Sequence, residues 1–128
     1  MGGKMSEGIN FSDHLARAVV VVGLPYADSR DPILQEKLRH ADALGTSNGE
    51  TNAGRRLYEA MCMKTVNQSI GRSIRHVRDY SSILLLDKRY GQERVQSQLP
   101  AWISECTELC NRFQDAEIKL AEFFRGKL

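Results

Sequence analysis

No stretch of this chain is apolar for long enough to cross a membrane: the longest apolar run, residues 18–22, falls far short of the roughly 20 residues a spanning helix needs. A secretory segment is lacking too, and three cysteines, an odd number, cannot form a complete disulfide framework; both point to reduced thiols in an intracellular compartment. The excess of positive charge is only +2, too small for a general polyanion binder, so any nucleic-acid contact has to come from local placement of arginine and lysine. The Gly-x-x-x-x-Gly-Lys-Ser/Thr phosphate loop is absent, as is an acidic Asp-Glu-Ala-His-type box for magnesium, so nothing in the chain cradles ATP unaided. His14 and His76 have no second ligand at a metal spacing, and Cys106 and Cys110, four apart, lack the further cysteine or histidine that would complete a site.

What is present is an ordinary globular composition, 41% hydrophobic and 27% charged over 128 residues, which rules out a disordered tail and allows one domain at most. Residues 17–22 form a β-branched run without alternation, expected as a strand covered on both faces and stopped by Gly23-Leu24-Pro25. Asp31 before Pro32 is a helix start, with Ile33, Leu34, Leu38 and Ala41 as its buried stripe and an end near Gly45. Residues 45–54 are small and polar and read as an exposed loop. A long helix is expected over about 55–76, then a second apolar strand over 82–86 closing on Asp87-Lys88-Arg89-Tyr90. Strand, helix, helix, strand implies an α/β fold with a parallel sheet and flanking helices.

The carboxy-terminal part is of another kind. Beyond Pro100, Trp102, Cys106, Leu109, Phe113, Ala116, Leu120 and Phe123 repeat at alternating spacings of four and three, predicting one amphipathic helix with Trp102 anchored in the core. It packs on its own sheet or docks to a partner helix. The expected organisation is therefore residues 1–99 as the α/β domain and 100–128 as a helical extension.

Two stretches carry candidate chemistry. Gln68, Arg72 and Arg75, at i, i+4 and i+7, would share one face of the expected helix, with Gly71 at its edge where a phosphate can approach the backbone. Met63, Val66, Ile70 and Ile74 fall on the opposite side, giving an apolar back and a cationic front. Planar guanidinium groups inserted from across a cleft stabilise the charge that spreads over phosphoryl oxygens, typically by 10³ to 10⁵ in rate, where a lysine lacks the bidentate fork. In the other stretch, Gly2, Gly3 and Gly8 allow a tight path with amides aimed at phosphates, while Ser6 and Asn10 offer short neutral groups suited to sugar and backbone contacts. That loop looks like one leaving a strand, yet no strand stands before it, so the beginning of the fold is expected to be missing. Either stretch alone would be a plain turn or a solvated helix face. Asp87 and Arg89 are open to two readings, a brace for the arginine helix or an ordinary strand-end ion pair.

Taken together, residues 2–11 and 68–75, with Val22-Gly23-Leu24-Pro25-Tyr26 between them and Leu86-Asp87-Lys88-Arg89-Tyr90 after them, resemble the second motor domain of the XPD-like iron–sulfur helicases of superfamily 2. Residues 2–11, 62–76 and 99–103 are most similar to the ChlR-type DNA helicases linked to sister-chromatid cohesion. The resemblance implies a partial RecA-like second domain, ATP with Mg²⁺ bound between two such domains, and single-stranded DNA crossing their tops. Lys4, Ser6, Glu7, Gly8 and Asn10 match the fifth helicase motif. Lys4, Ser6 and Asn10 are thereby implied in DNA contact, and Glu7 and Gly8 in the nucleotide cleft, where Glu7 holds a basic neighbour or water. Gln68, Gly71, Arg72 and Arg75 match the sixth, with the arginines as fingers to the γ-phosphate held by the first domain. The 4Fe–4S cluster, the phosphate loop and the acidic box belong to that first domain, so the chain is expected to be a carboxy-terminal fragment unable to hydrolyse ATP alone. Implied partners are DNA, as single strands and duplex junctions, and the first motor domain, in a nuclear protein of genome maintenance that unwinds 5′ to 3′. The alternatives are a noncatalytic nucleotide- or nucleic-acid-binding module and an interaction protein that works through its carboxy-terminal helix.

Overall fold

The computed structural model describes residues 16–74 and 79–127. Two parallel strands, β1 (Ala18–Val22) and β2 (Ser82–Leu86), pair in register from Ala18 opposite Ser82 to Val22 opposite Leu86. Between them run two helices, α1 (Pro32–Ser47) and α2 (Ala53–Ile70). After β2 come a 3₁₀ turn (Lys88–Gly91), two single-turn helices, α3 (Glu93–Gln96) and α4 (Ala101–Ser104), and a final helix α5 (Phe113–Arg125). The expected parallel α/β order is thus the observed one.

α1 starts where its capping signal stands. The Asp31 carboxylate accepts from the backbone N–H groups of Ile33 and Leu34, and Pro32 occupies the first turn, where its missing N–H costs nothing. Its end is later than expected, because Gly45 acts as a packing residue and not as a stop. A Cβ on Gly45 would lie 2.6 Å from the Ala53 Cβ, and one on Gly54 would lie 2.6 Å from both the Leu38 carbonyl and Asp42 Oδ2. Both glycines are buried, so α1 and α2 cross at close range and only residues 48–52 are left as the loop. Of the four residues expected in the buried stripe of α1, Leu34 is buried while Ile33 is 68% exposed.

α2 supplies the centre of the core. Cys62, Met63, Val66 and Ile70, on one helical face, are buried with Val21 and Leu24 from the β1 side and with Tyr90, Val95, Leu99 and Ile103 from the segments after β2. The helix stops at Ile70, short of the expected 76. Gly71 N–H still bonds Asn67 O, but Arg72 and Ser73 donate three residues back, to Ser69 and Ile70, which tightens the chain into a turn.

Two further expectations are corrected. Among the described residues β1 is covered on one face only: Val21 is fully buried and Val19 packs against the core, whereas Val20 is 52% and Val22 74% exposed. Residues 100–125 do not form one helix either, since burial of Leu99 and Ile103 sets the phase of α4 and turns Trp102 outward, 49% exposed. Trp102 and Ile103 cannot both face the core, and the chain then runs irregularly to Arg112 before α5 restarts the helical path.

Candidate functional site

The end of α2 and the turn after it hold Gln68, Gly71 and Arg72 of the expected arginine site. Gln68 is exposed on the last turn of α2, with Met63, Val66 and Ile70 buried behind it as the apolar back. Arg72 is half-buried on the tightened turn that follows. The expectation of one continuous helical face carrying Gln68 and Arg72 is therefore corrected: the helix carries the first, the turn the second. Arg75 lies outside the described residues, as do Lys4, Ser6, Glu7, Gly8 and Asn10.

Gly71 has a helical φ of −64°, and among the described residues a Cβ placed there would meet nothing nearer than the Asn67 carbonyl at 3.4 Å. Neither its backbone conformation nor its internal packing demands a glycine. Beside it, a groove of about 580 Å³ is lined by Ala60, Lys64, Asn67, Gln68 and Gln98 over Met63. Asn67 Nδ2 donates to the Gln98 carbonyl at 2.9 Å, tying α2 to the chain after α3, while its Oδ1 is buried without a partner among the described residues.

Residues that the sequence did not single out hold the amino ends of the strands. Arg17 Nη1 donates to Asp79 Oδ1 at 2.6 Å and to the Tyr80 carbonyl at 3.0 Å, and its guanidinium carbon lies 4.0 Å from the centre of the Tyr80 ring. Asp79 Oδ1 also accepts from the Tyr80 N–H, and Ser82 N–H bonds the Arg17 carbonyl. No local pattern marks this pairing, which spans 62 positions.

At the carboxyl ends of the strands the geometry is different. Asp87 caps the 3₁₀ turn, accepting from the Arg89 N–H, and its two oxygens take Arg89 Nε and Nη2 at 2.9 and 2.7 Å. That pairing holds the Asp87 carboxyl well below its usual value, at about 2. Burial, with the Cys62 and Asp87 charges adding to it, pushes the Tyr90 hydroxyl up to about 12, and that hydroxyl donates to the Gly23 carbonyl. Arg89 also lies over the Tyr26 ring, 5.8 Å from its centre, and burial raises the Cys62 thiol beneath. At this end of the strands Asp87 and Arg89 form an ion pair, Arg89 Nη2 to Asp87 Oδ2 at 2.7 Å.

Cys106 is exposed and Cys110 half-buried, and no three His, Cys, Asp or Glu side chains among the described residues could together hold a metal ion. Nor is any helix among them long and apolar enough to cross a membrane.

The fold is a parallel α/β layer with a glycine–arginine turn at the end of α2, and residues 1–106 match the helicase C-terminal domain family. The chain belongs to that family. Over 128 residues, 99% of its length, it is 49% identical to the putative ATP-dependent DNA helicase DDX11-like protein 8 of Homo sapiens and 48% identical to the ATP-dependent DNA helicase DDX11 of Mus musculus, covering 14% of each. It is 46% identical over 129 residues to the ATP-dependent DNA helicase chl1 of Schizosaccharomyces pombe, covering 99% of this chain and 15% of that protein. The chain thus spans about a seventh of the length of these relatives.

Proposed function

We propose that this chain is the second-motor-domain portion of an ATP-dependent DNA helicase, in which Arg72 and Arg75 reach across a cleft to the nucleotide and Gln68 and Gly71 shape the approach. The observation that carries the reading is Gly71. A glycine that neither φ nor packing requires, next to a half-buried arginine, leaves room for an outside group to come against the backbone, and a phosphate is the group a guanidinium would meet there. ATP supplies the γ-phosphoryl group whose transfer to water drives the motor. On this reading magnesium and the phosphate loop come from the first motor domain, the loop of Lys4, Ser6 and Asn10 contacts the DNA backbone, and Glu7 and Gly8 line the cleft. The substrate is DNA, the place of work the nucleus. Unwinding from 5′ to 3′ and a part in chromatid cohesion belong to the same proposal.

The test supplies a phosphate-loop-bearing first domain from a relative in trans. ATP turnover is expected only with both parts present, and Arg72→Ala should lower kcat by about 10³. Turnover by this chain alone, or turnover in trans that is indifferent to Arg72→Ala, would overturn the assignment.

A further inference from the structure

The chain after β2 is tied by polar side chains to α2 at two points about 12 Å apart along the helix. Arg94 of α3 donates to the Glu59 carboxylate in the second turn of α2, and Asn67 Nδ2 in its last turn donates to the Gln98 carbonyl at 2.9 Å. Val95 and Leu99, beside these ties, are buried in one cluster with Met63, Val66 and Ile70 of α2.

Burial holds the helix against the core, but it is non-directional and does not choose among small rolls or slides of α2 past residues 95–99. A side-chain hydrogen bond to a main-chain carbonyl does choose. Asn67 is also the residue whose own carbonyl accepts the Gly71 N–H, at 2.9 Å, and Gln68 follows it in the chain. One residue thus links the neighbouring segment to the glycine of the candidate site, through contacts that are all direct. The link carries a cost, because Asn67 Oδ1 is buried without a partner among the described residues. An apolar side chain would avoid that penalty, so the amide contributes orientation more than stability.

We propose that Asn67 is a positioning residue for the end of α2: its amide, anchored on the Gln98 carbonyl, sets where Gln68 and Gly71 stand. The inference rests on the proposed function for its consequence in catalysis, but the tie itself can be measured without nucleotide. Hydrogen exchange on the whole chain is expected to show the Gly71 amide exchanging about two- to tenfold faster in Asn67→Leu, the loss of one hydrogen bond, with the amides of the second and third turns of α2 unchanged. Asn67→Gln keeps an amide donor beside a groove with room for one more methylene, and should restore most of the protection. Glu59→Gln, which breaks the other tie, should leave Gly71 exchange as it was. Slow Gly71 exchange in Asn67→Leu, equal acceleration in Glu59→Gln, or no recovery in Asn67→Gln would overturn the proposal. In the trans assay Asn67→Leu should lower kcat several-fold while leaving KM for ATP in place, with Asn67→Gln again restoring it. An undiminished kcat would overturn the positioning role, whereas failure of the arginine reading shows separately, as indifference to Arg72→Ala.

Discussion

Gly71 and Asp87 show how single residues divide between function and fold. At Gly71 the described residues leave room for a methyl group and the backbone conformation is ordinary, so Gly71→Ala should leave the unfolding free energy from chemical denaturation within about 0.5 kcal/mol of the original. On the proposed function it should still cost turnover in trans, since the added methyl stands where the phosphate approaches; equal turnover would show that no ligand comes near. Asp87 is the opposite case. Its folded-state value of about 2 lies below the usual 3.8, so the stabilisation it contributes is fully present above pH 3.8 and fades as the pH falls toward 2. Asp87→Asn should therefore be less stable than the parent at pH 6, and the gap should narrow across that acid window in denaturation curves. A constant gap would show that Arg89 is held by something other than the carboxylate. Tyr90 titrates at the other extreme: with its folded value raised from 10.0 to about 12, its contribution holds below pH 10 and is lost as the pH rises through 12.

Some elements in this protein begin on local signals, while other starts and ends are set by tertiary contacts. The start of α1 was legible because Asp31 and Pro32 act within a few residues of themselves, and both strands because β-branched and apolar runs bounded by turn residues need no partner to be recognised. Its end was not legible, since Gly45 reads locally as a stop while its real work is to let Ala53 come close. The same holds at the start of α2, where Asn52, left-handed at φ 61°, makes no capping bond and Asp42 of α1 instead accepts the Gly54 N–H at 2.7 Å. Gly54→Ala is expected to cost about 1–3 kcal/mol, because the new methyl would collide with the Leu38 carbonyl, a backbone atom that cannot swing aside. Urea titration followed by circular dichroism measures it; a neutral result would mean that the two helices can part without loss. The heptad after Pro100 failed for a related reason, since its regular spacing was real but Leu99 and Ile103, off the stripe, had the core to themselves. At the candidate site Gln68 falls on α2 as the helical spacing implied but Arg72 on the turn beyond its end, whereas the Arg17–Asp79 link joins parts of the chain that only the folded sheet brings together.

For the molecule as a whole, the sheet has one finished side and one open side. Val20, Val22 and Leu86 are 52%, 74% and 46% exposed, and Val22 pairs in register with Leu86, so these side chains form a contiguous apolar patch across the two strands. Among the described residues both strands are also edges, each with one row of backbone groups left without a strand partner. An apolar face beside free edges favours association with another sheet, and every ångström squared covered there gains about 25 cal/mol. The isolated chain is accordingly expected to self-associate, with a melting temperature that depends on concentration and light scattering that grows with it. Val20→Thr with Val22→Thr keeps the β-branched shape and the strand propensity while wetting the patch, and should lower the scattering markedly without lowering the melting temperature of the dilute protein by more than a few degrees. Should the unaltered chain stay monomeric at high concentration, with a melt that is sharp, reversible and independent of concentration, the open face would have to be covered by part of the same chain.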